Sequence, residues 1–494
     1  MKNKKLLYII LIFSLLFNLI GCNRKNNPTL IIDDYNGIDL SKINNYKIQV
    51  DFNPNNKYYS ANQKTTYINN TGEVLKEIYF HLYPRAYNST KTAPILFESQ
   101  ELKENYTTGN MGIKTLKINK KDVDFAIGGV TDTILKIPLD NPLRPEEEIE
   151  IYMKYDVKLP QNIDRFGFGE DIFNFGNWYP ILAVYDEKGW NLDPYYSLGD
   201  PFYSDMSNYQ VEITGPKDII IASSGNILSE KIKGDRKVYN IEGKLIRDFA
   251  WVASPNFKIK EIEAENTLIN LYSLEEDPEI EEFSLEVGKD TIEIFNRIFG
   301  KYPYGQYSIV MTEFPTGMEY PGLVFIGKDF FHKYYKNQLE VVIVHETAHQ
   351  WWYGVVGNDQ IDEAWLDESL ATYSEIIYMQ EKYGEEAGKT YYDYSLETSY
   401  EYGKDIIAKD RKVVKPLDRF SSWEDYGLLV YTKGAMFLGE IEKDFGREAL
   451  YDILHKYYNK YKFHIGTTED FLKVCEDITG TSFYERAEEW LYGE

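Results

Sequence analysis

The chain has 494 residues, of which 43% are hydrophobic and 27% are charged, and its formal net charge at pH 7 is −25. This composition is typical of a folded, soluble protein, and the length predicts two or three domains. Because nucleic acids and anionic lipid surfaces are also negative, the charge argues against both as partners.

The N-terminus has the pattern of an export signal. Three lysines in the first five residues precede an apolar run over residues 6–20, which is shorter than the roughly 20 residues that span a bilayer. Residues 19–22 resemble the bacterial lipobox, whose cysteine carries lipid. We therefore expect residues 1–22 to be a lipoprotein signal peptide that leaves Cys22 lipidated, on the outer face of a bacterial membrane. An ordinary signal peptide or an uncleaved anchor is the alternative.

The next two segments differ in pattern. Residues 23–45 are polar and rich in turn-forming residues, and we expect a tether there. From residue 46 to residue 262, short alternating segments separated by turns predict an antiparallel β-sandwich. The predicted strands include 46–52, 64–69, 77–82, 133–137, 148–155, 209–214 and 218–222.

Beyond residue 262 the pattern mixes strands with long helical segments. A helix is predicted over 279–299, strands over 268–272, 306–312 and 323–326, and further helices follow to residue 490. This mixture predicts an α+β catalytic domain over 263–494. The second cysteine, Cys475, is expected to be a buried apolar residue rather than a disulfide partner.

A metal-binding pattern lies in this second domain. His345 and His349 are four residues apart in a predicted helix, so both rings leave the same face and can reach one ion. Glu346 can contact a metal-bound water, and Glu368, on the next predicted helix, is the candidate third ligand. This is the His-Glu-x-x-His pattern of zinc peptidases, in which three protein ligands leave one position open. The alternative is that the histidines are structural.

Two further stretches contain residues that could bind the substrate or take part in catalysis. Glu319 stands between two predicted strands near glycines, where it either binds a substrate amine or is a solvated turn residue. Tyr431 is either a phenol donor or one of many core tyrosines. The residues alone leave both alternatives open.

The stretch from His345 to Trp352, with Glu368 in Trp-Leu-Asp-Glu, resembles the gluzincin aminopeptidases, the family of membrane alanyl aminopeptidase and leukotriene hydrolase. The family's Tyr-x-Lys-Gly motif, whose tyrosine stabilises the oxyanion, is similar to the stretch that starts at Tyr431. The resemblance extends from about Tyr46 onward. It implies an antiparallel β-sandwich followed by a thermolysin-like α+β zinc catalytic domain.

In that family a Gly-x-Met-Glu-Asn strand binds the free α-amine of the substrate through its glutamate. Gly317, Met318 and Glu319 are similar to it, so the resemblance implies substrate binding at these three residues. The chain departs from the family at Gly317, where alanine is usual, and at Tyr320, where asparagine is usual. Ser369 replaces a glycine, Asp367 replaces an asparagine, and the usual large C-terminal helical domain is missing or reduced.

The resemblance and the zinc pattern together predict a membrane-tethered zinc peptidase with one Zn²⁺ per chain, which acts on peptides and removes N-terminal residues. Glu346 would be the general base and Tyr431 the oxyanion donor. Two alternatives stay open. One is a zinc endopeptidase with an open groove, and the other is a non-catalytic surface lipoprotein that binds peptides.

Overall fold

The computed structural model describes residues 27–91, 93–95, 106–170, 172–406 and 410–493. The predicted signal peptide, with its lipidation site Cys22, lies outside these residues. Within them, no helix is long and apolar enough to cross a membrane.

The first domain is a β-sandwich. Its main sheet has eight strands in the order β16-β17-β14-β1-β2-β8-β4-β5, and two four-stranded sheets have the orders β15-β18-β10-β9 and β11-β3-β7-β6. The strands are β1 (Asn44–Asn53), β2 (Tyr58–Ile68), β3 (Leu75–His81), β4 (Asn110–Ile118), β5 (Lys121–Asp122), β6 (Ala126–Gly128), β7 (Ile134–Leu143), β8 (Glu148–Lys158), β9 (Phe166–Phe168), β10 (Phe173–Phe175), β11 (Ile181–Leu182), the hairpin β12 (Tyr185–Asp186) and β13 (Gly189–Trp190), β14 (Ser207–Pro216), β15 (Ile220–Ser223), β16 (Asn226–Lys233), β17 (Arg236–Ile246) and β18 (Trp251–Ser254).

Alternation along the strands buries one face of the main sheet. In β1, every second residue from Tyr46 to Phe52 is buried, as a half-buried strand requires. Phe52 packs edge-on against Phe175 and Trp251 of a facing sheet, with ring centroids 5.3 and 5.6 Å apart. One strand pair differs from the antiparallel expectation, because β1 and β14 run parallel.

The second domain combines a five-stranded sheet with helices. The sheet has the order β19-β20-β21-β23-β22. Its strands are β19 (Lys258–Ala264), β20 (Thr267–Ser273), β21 (Gln306–Thr312), β22 (Gly317–Met318) and β23 (Leu323–Gly327). The helices are α1 (Pro278–Ile298), α2 (Lys336–Ala348), α3 (Trp365–Tyr383), α4 (Glu385–Tyr392), α5 (Ser399–Gly403), α6 (Trp423–Tyr426), α7 (Gly434–Phe445), α8 (Arg447–Tyr461), α9 (Thr468–Thr479) and α10 (Tyr484–Trp490).

The five-stranded sheet begins ahead of the domain boundary predicted at residue 262. That residue lies inside β19, which pairs along its whole length with β20. The described part of the predicted tether is also docked on the second domain. The Ile31 amide donates to the Pro303 carbonyl at 2.8 Å, and the Asn36 side chain donates to the Lys460 carbonyl at 2.9 Å.

Buried polar contacts join the two domains. Arg247, which follows β17, is 1% exposed. Its guanidinium donates to three backbone carbonyls, one in the first domain (Ser204) and two in the second (Tyr353 and His464), at 2.8–3.2 Å. The first domain is thereby fixed beside α2, and its loops can contribute to a site there.

Candidate active site

Helix α2 presents the two predicted histidines on one face. The Nε2 atoms of His345 and His349 are 3.1 Å apart, and α3 brings the Glu368 carboxylate to 3.4 and 3.3 Å from them. Within the described chain, these three residues form one of two groups whose donor atoms could hold a metal ion. The spacing in sequence therefore places the three predicted ligands together.

The other nitrogen of each ring is held by the protein. His345 Nδ1 is 2.7 Å from Glu375, whose other oxygen accepts from the Tyr391 hydroxyl at 2.6 Å. His349 Nδ1 is 3.1 Å from the Trp352 carbonyl. Such partners fix the tautomer and aim Nε2 at the shared space. Glu375 is not among the residues predicted from the sequence, although it lies two helical turns after Glu368 and so on the same face of α3.

The donors at this point fit a zinc ion. Two imidazoles and one carboxylate are a known ligand set of catalytic zinc. Glu368 Oε2 and Glu346 Oε2 are buried, and neither has a hydrogen-bond partner among the described residues. Although burial opposes it, the two histidine rings beside Glu368 hold the pKa of its carboxyl below the usual value, so this carboxylate stays in the ionised form that binds metal.

Glu346 lies beside the ligands and lines the same cavity, which has a volume of about 550 Å³. Burial raises the pKa of its carboxyl to about 8, against the opposing charge of His345. Gly317 leaves room for it, since a Cβ there would stand 1.9 Å from Glu346 Oε1. Glu346 can therefore accept and return a proton close to the metal donors.

Tyr431 reaches the same point from a π-helical turn over 427–433 between α6 and α7. Its hydroxyl donates to Glu368 Oε1 at 2.5 Å, and its ring stacks on His345 with centroids 5.8 Å apart. Ser369 donates to the Val430 carbonyl at 2.5 Å within this turn. Single π-helical turns often mark functional sites, and here the turn places a phenol beside the metal donors.

Glu319 follows β22 and is 4% exposed. Its Oε1 lies 3.5 Å from the Gln360 amide nitrogen, which also donates to Asp367 at 2.6 Å. Donor atoms of Glu319, His349 and Asp367 lie within 4.8 Å of one another. Burial and then the charge of Asp200 raise the pKa of Glu319 well above its usual value. This end of the cavity therefore favours a cation.

The first domain contributes an ion pair to the same end of the cavity. Arg165 and Asp200 are 2.6 Å apart, with side chains only 5% and 9% exposed. Arg165 Nε also donates to the Met318 sulfur at 3.0 Å. Neither residue is predicted from the sequence, because a single arginine and a single aspartate in separate loops form no recognisable pattern.

The cavity brings together most of the residues that the sequence singled out. Met318 is the exception, since it is 1% exposed and its sulfur faces Arg165. The predicted residues that line the cavity are Gly317, Glu319, His345, Glu346, His349, Glu368 and Tyr431. Metal donors, a base, a phenol and an amine-compatible carboxylate thus share one space of peptide size.

Comparisons with known proteins agree with this geometry. Residues 283–490 match the model described as the peptidase family M1 domain. Aminopeptidase 2 of Candida albicans is 23% identical over 420 residues, which cover 78% of this chain and 43% of that protein. Aminopeptidase RNPEPL1 of Homo sapiens is 30% identical over 191 residues, which cover 36% of this chain and 25% of that protein. The chain spans less than half the length of these relatives.

Solved structures show the same fold. The M1 zinc metallopeptidase from Deinococcus radiodurans superposes with a TM-score of 0.67 at 16% identity, over 92% of this chain and 94% of that one. A mutant of that enzyme bound to a Tyr-Ser-Ala substrate has a TM-score of 0.64 at 17% identity, with the same coverage. The predicted fold class is confirmed. Residues 283–490 are thus similar to the peptidase family M1 domain, and the donor atoms of His345, His349 and Glu368 fit the predicted zinc ion.

Proposed function

We propose that the protein is a zinc aminopeptidase that removes N-terminal residues from peptides. The observation that supports this best is the position of Glu319, a buried carboxylate that forms no ion pair with a cationic side chain among the described residues, in the cavity that also holds the metal donors and Glu346. Burial raises the pKa of Glu319, so its ionised form needs a partner of opposite sign in this place. The α-ammonium group of a peptide supplies one.

The roles of the side chains follow from their places. His345, His349 and Glu368 would hold the zinc ion, which supplies Lewis acidity and lowers the pKa of a bound water. Glu346 takes a proton from the attacking water and passes it to the leaving amine. Tyr431 moves its hydroxyl from Glu368 to the developing oxyanion, a donor whose loss typically costs about 3–4 kcal/mol of transition-state stabilisation.

The experiment compares peptides with a free and with an acetylated N-terminus. Because a hydrogen bond to a charged group contributes about 1.5–3 kcal/mol, Glu319→Ala should lower kcat/KM for the free peptide about ten- to a hundredfold. It should change the value for the blocked peptide little. The matched control is Glu313→Ala, a neighbouring carboxylate that pairs with Lys328 at 3.2 Å and does not line the cavity.

If wild type has nearly equal kcat/KM for the free and the acetylated peptide, the aminopeptidase assignment is overturned and an endopeptidase with an open groove is favoured. No hydrolysis of either peptide by zinc-loaded protein would favour the non-catalytic alternative. A chelator should abolish activity, and added zinc should restore it, because two imidazoles and one carboxylate are a ligand set of catalytic zinc.

We also propose that the protein is lipid-anchored through Cys22 to the outer face of a bacterial membrane. The support is the sequence, with a basic start, a short apolar run and a cysteine at its end. Labelling of growing cells with a fatty acid tests it. Cys22→Ser should lose both the label and membrane retention, and retained labelling would show that the anchor is elsewhere.

A further inference from the structure

Gln350 is a buried amide at the end of the metal-binding helix whose contacts the proposed mechanism does not use. It is 1% exposed and directly follows His349. Its Oε1 accepts from the Gly322 backbone amide at 2.7 Å, which fixes the orientation of the side-chain amide because a backbone N–H can only donate.

The nitrogen of the same side chain faces two elements at once. Gln350 Nε2 lies 3.4 Å from the carbonyl of Glu346, in α2, and 3.5 and 3.3 Å from the carbonyls of Glu319 and Tyr320. One side chain therefore joins the backbone of the proposed base to the backbone of the proposed amine anchor.

The loop that Gln350 holds is also fixed from its other side. Gln306 Nε2 donates to the Gly322 carbonyl at 3.0 Å and to the Ser224 carbonyl of the first domain at 2.9 Å. Gly322 has φ +71°, and a Cβ there would stand 2.7 Å from the Ser224 carbonyl oxygen. The segment from Glu319 to Gly322 thus has little freedom to move toward the first domain, and Gln350 sets its distance from α2.

This distance matters because each further residue of a substrate advances an extended chain by only about 3.3–3.6 Å. If the amine anchor moved by that amount relative to the metal donors, the second peptide bond would face them in place of the first. Displacements of about 1 Å already cost around a hundredfold in rate when reacting groups must be aligned.

We propose that Gln350 is a positioning residue that fixes the spacing between Glu319 and the metal-binding helix, and so selects the first peptide bond for cleavage. The proposal rests on the proposed aminopeptidase function. It assigns to Gln350 no contact with the substrate, so its effect is on where the peptide is cut and on amine recognition.

The test uses zinc-loaded protein, the peptide tetra-alanine and the variant Gln350→Met, which keeps the side-chain length and removes the amide. The matched control is Gln63→Met in the first domain, since Gln63 is equally buried, donates to the Pro180 carbonyl at 2.8 Å and does not line the cavity. Gln350→Met should lower kcat/KM about ten- to a hundredfold and release dialanine beside alanine. When the products are analysed before trialanine is itself cut, wild type and Gln63→Met should yield alanine and trialanine without dialanine.

A second readout does not depend on turnover. Calorimetry on proteins that also carry Glu346→Gln, and so do not hydrolyse the amide, gives the affinities of leucinamide and N-acetyl-leucinamide; adding Gln350→Met should bring their ratio toward one, while adding Gln63→Met leaves it unchanged. Unchanged affinity ratio and unchanged products in a folded Gln350→Met protein would overturn the proposal. If that variant does not fold, Gln350→Glu, which keeps the acceptor for Gly322, replaces it in both measurements, with the same two outcomes.

The two hypotheses fail differently. A wild-type protein that does not prefer leucinamide over its acetylated form and cuts no peptide would overturn the aminopeptidase function and the role of Gln350 together. A wild-type protein that shows the preference, with Gln350→Met equal to it, would overturn the role of Gln350 alone.

Discussion

At the scale of single residues, the proposed chemistry depends on Glu346 as the base. Glu346→Gln keeps the shape of the side chain and removes the group that accepts the proton, so kcat should fall about 10²- to 10⁴-fold, the range of general base catalysis. The zinc content, measured by atomic absorption, should stay at one per chain, because His345, His349 and Glu368 are unchanged.

The control for this prediction is Glu368→Gln, which alters a proposed ligand. It should lose zinc as well as activity, since a neutral amide is a poorer zinc ligand than a carboxylate. A Glu346→Gln protein with activity within about tenfold of wild type would contradict the role of Glu346 as base.

How far the sequence predicts this site depends on how local its residues are. His345 and His349 are related by helical geometry alone, and Glu368 follows at a spacing that a short connection allows. Gln350 and Asp200 have partners that lie in other elements, such as Gly322 for Gln350 and Arg165 for Asp200. No periodicity in a single sequence reports such contacts, so these residues become visible only in the folded chain.

At the scale of elements, the π-helical turn that presents Tyr431 needs support for its backbone. The Ser369 hydroxyl donates to the Val430 carbonyl, next to Tyr431. Ser369, which stands where the gluzincin aminopeptidases usually have glycine, therefore supports the backbone of this turn. The departure at this position is accommodated by Gly434, because a Cβ there would stand 2.0 Å from the Ser369 hydroxyl.

Ser369→Ala should lower the free energy of unfolding by about 1–3 kcal/mol, because it leaves a buried carbonyl without its donor. It should also lower kcat, since Tyr431 is presented by the same turn. Urea denaturation and steady-state kinetics measure the two effects. The control is Ser284→Ala in α1, where the hydroxyl bonds the Ile280 carbonyl at 2.7 Å within its own helix. Equal kcat in wild type and Ser369→Ala would show that the turn does not depend on this bond.

At the scale of the whole molecule, the sequence predicts the sandwich and the α+β domain but not the way they join. The sequence of β19 does not reveal which strand it pairs with, and in the fold that strand is β20. The parallel pairing of β1 with β14 is invisible for the same reason, because alternation gives the buried face of a strand and not its neighbour. The docking of residues 27–43 depends on individual backbone and side-chain hydrogen bonds to distant residues, which a polar sequence does not display.

The stability of the whole chain should depend on pH through His81, in β3. This ring is 3% exposed, stacks on Tyr83 with centroids 4.8 Å apart and lies 3.1 Å from the Asn191 carbonyl. Burial lowers its pKa from the ordinary 6.5 to about 4. The folded protein therefore keeps His81 neutral where the unfolded chain binds a proton.

The direction of the pH dependence follows from this difference in proton binding between the folded and the unfolded chain. Above pH 6.5 neither state binds the proton, and the contribution of neutral His81 to stability is fully present. As the pH falls from 6.5 toward 4, only the unfolded chain is protonated, so the free energy of unfolding decreases, by up to about 3 kcal/mol at one proton per molecule. His81→Gln has no group that titrates at this position and should lack this loss.

Urea denaturation at pH 7, 5.5 and 4 gives the difference in the free energy of unfolding between wild type and His81→Gln. Contributions from other titrating groups, such as Asp248, cancel in this difference. That difference should shift by about 3 kcal/mol against wild type on acidification. Parallel pH curves for wild type and His81→Gln would mean that His81 is protonated as readily in the folded protein as in the unfolded chain.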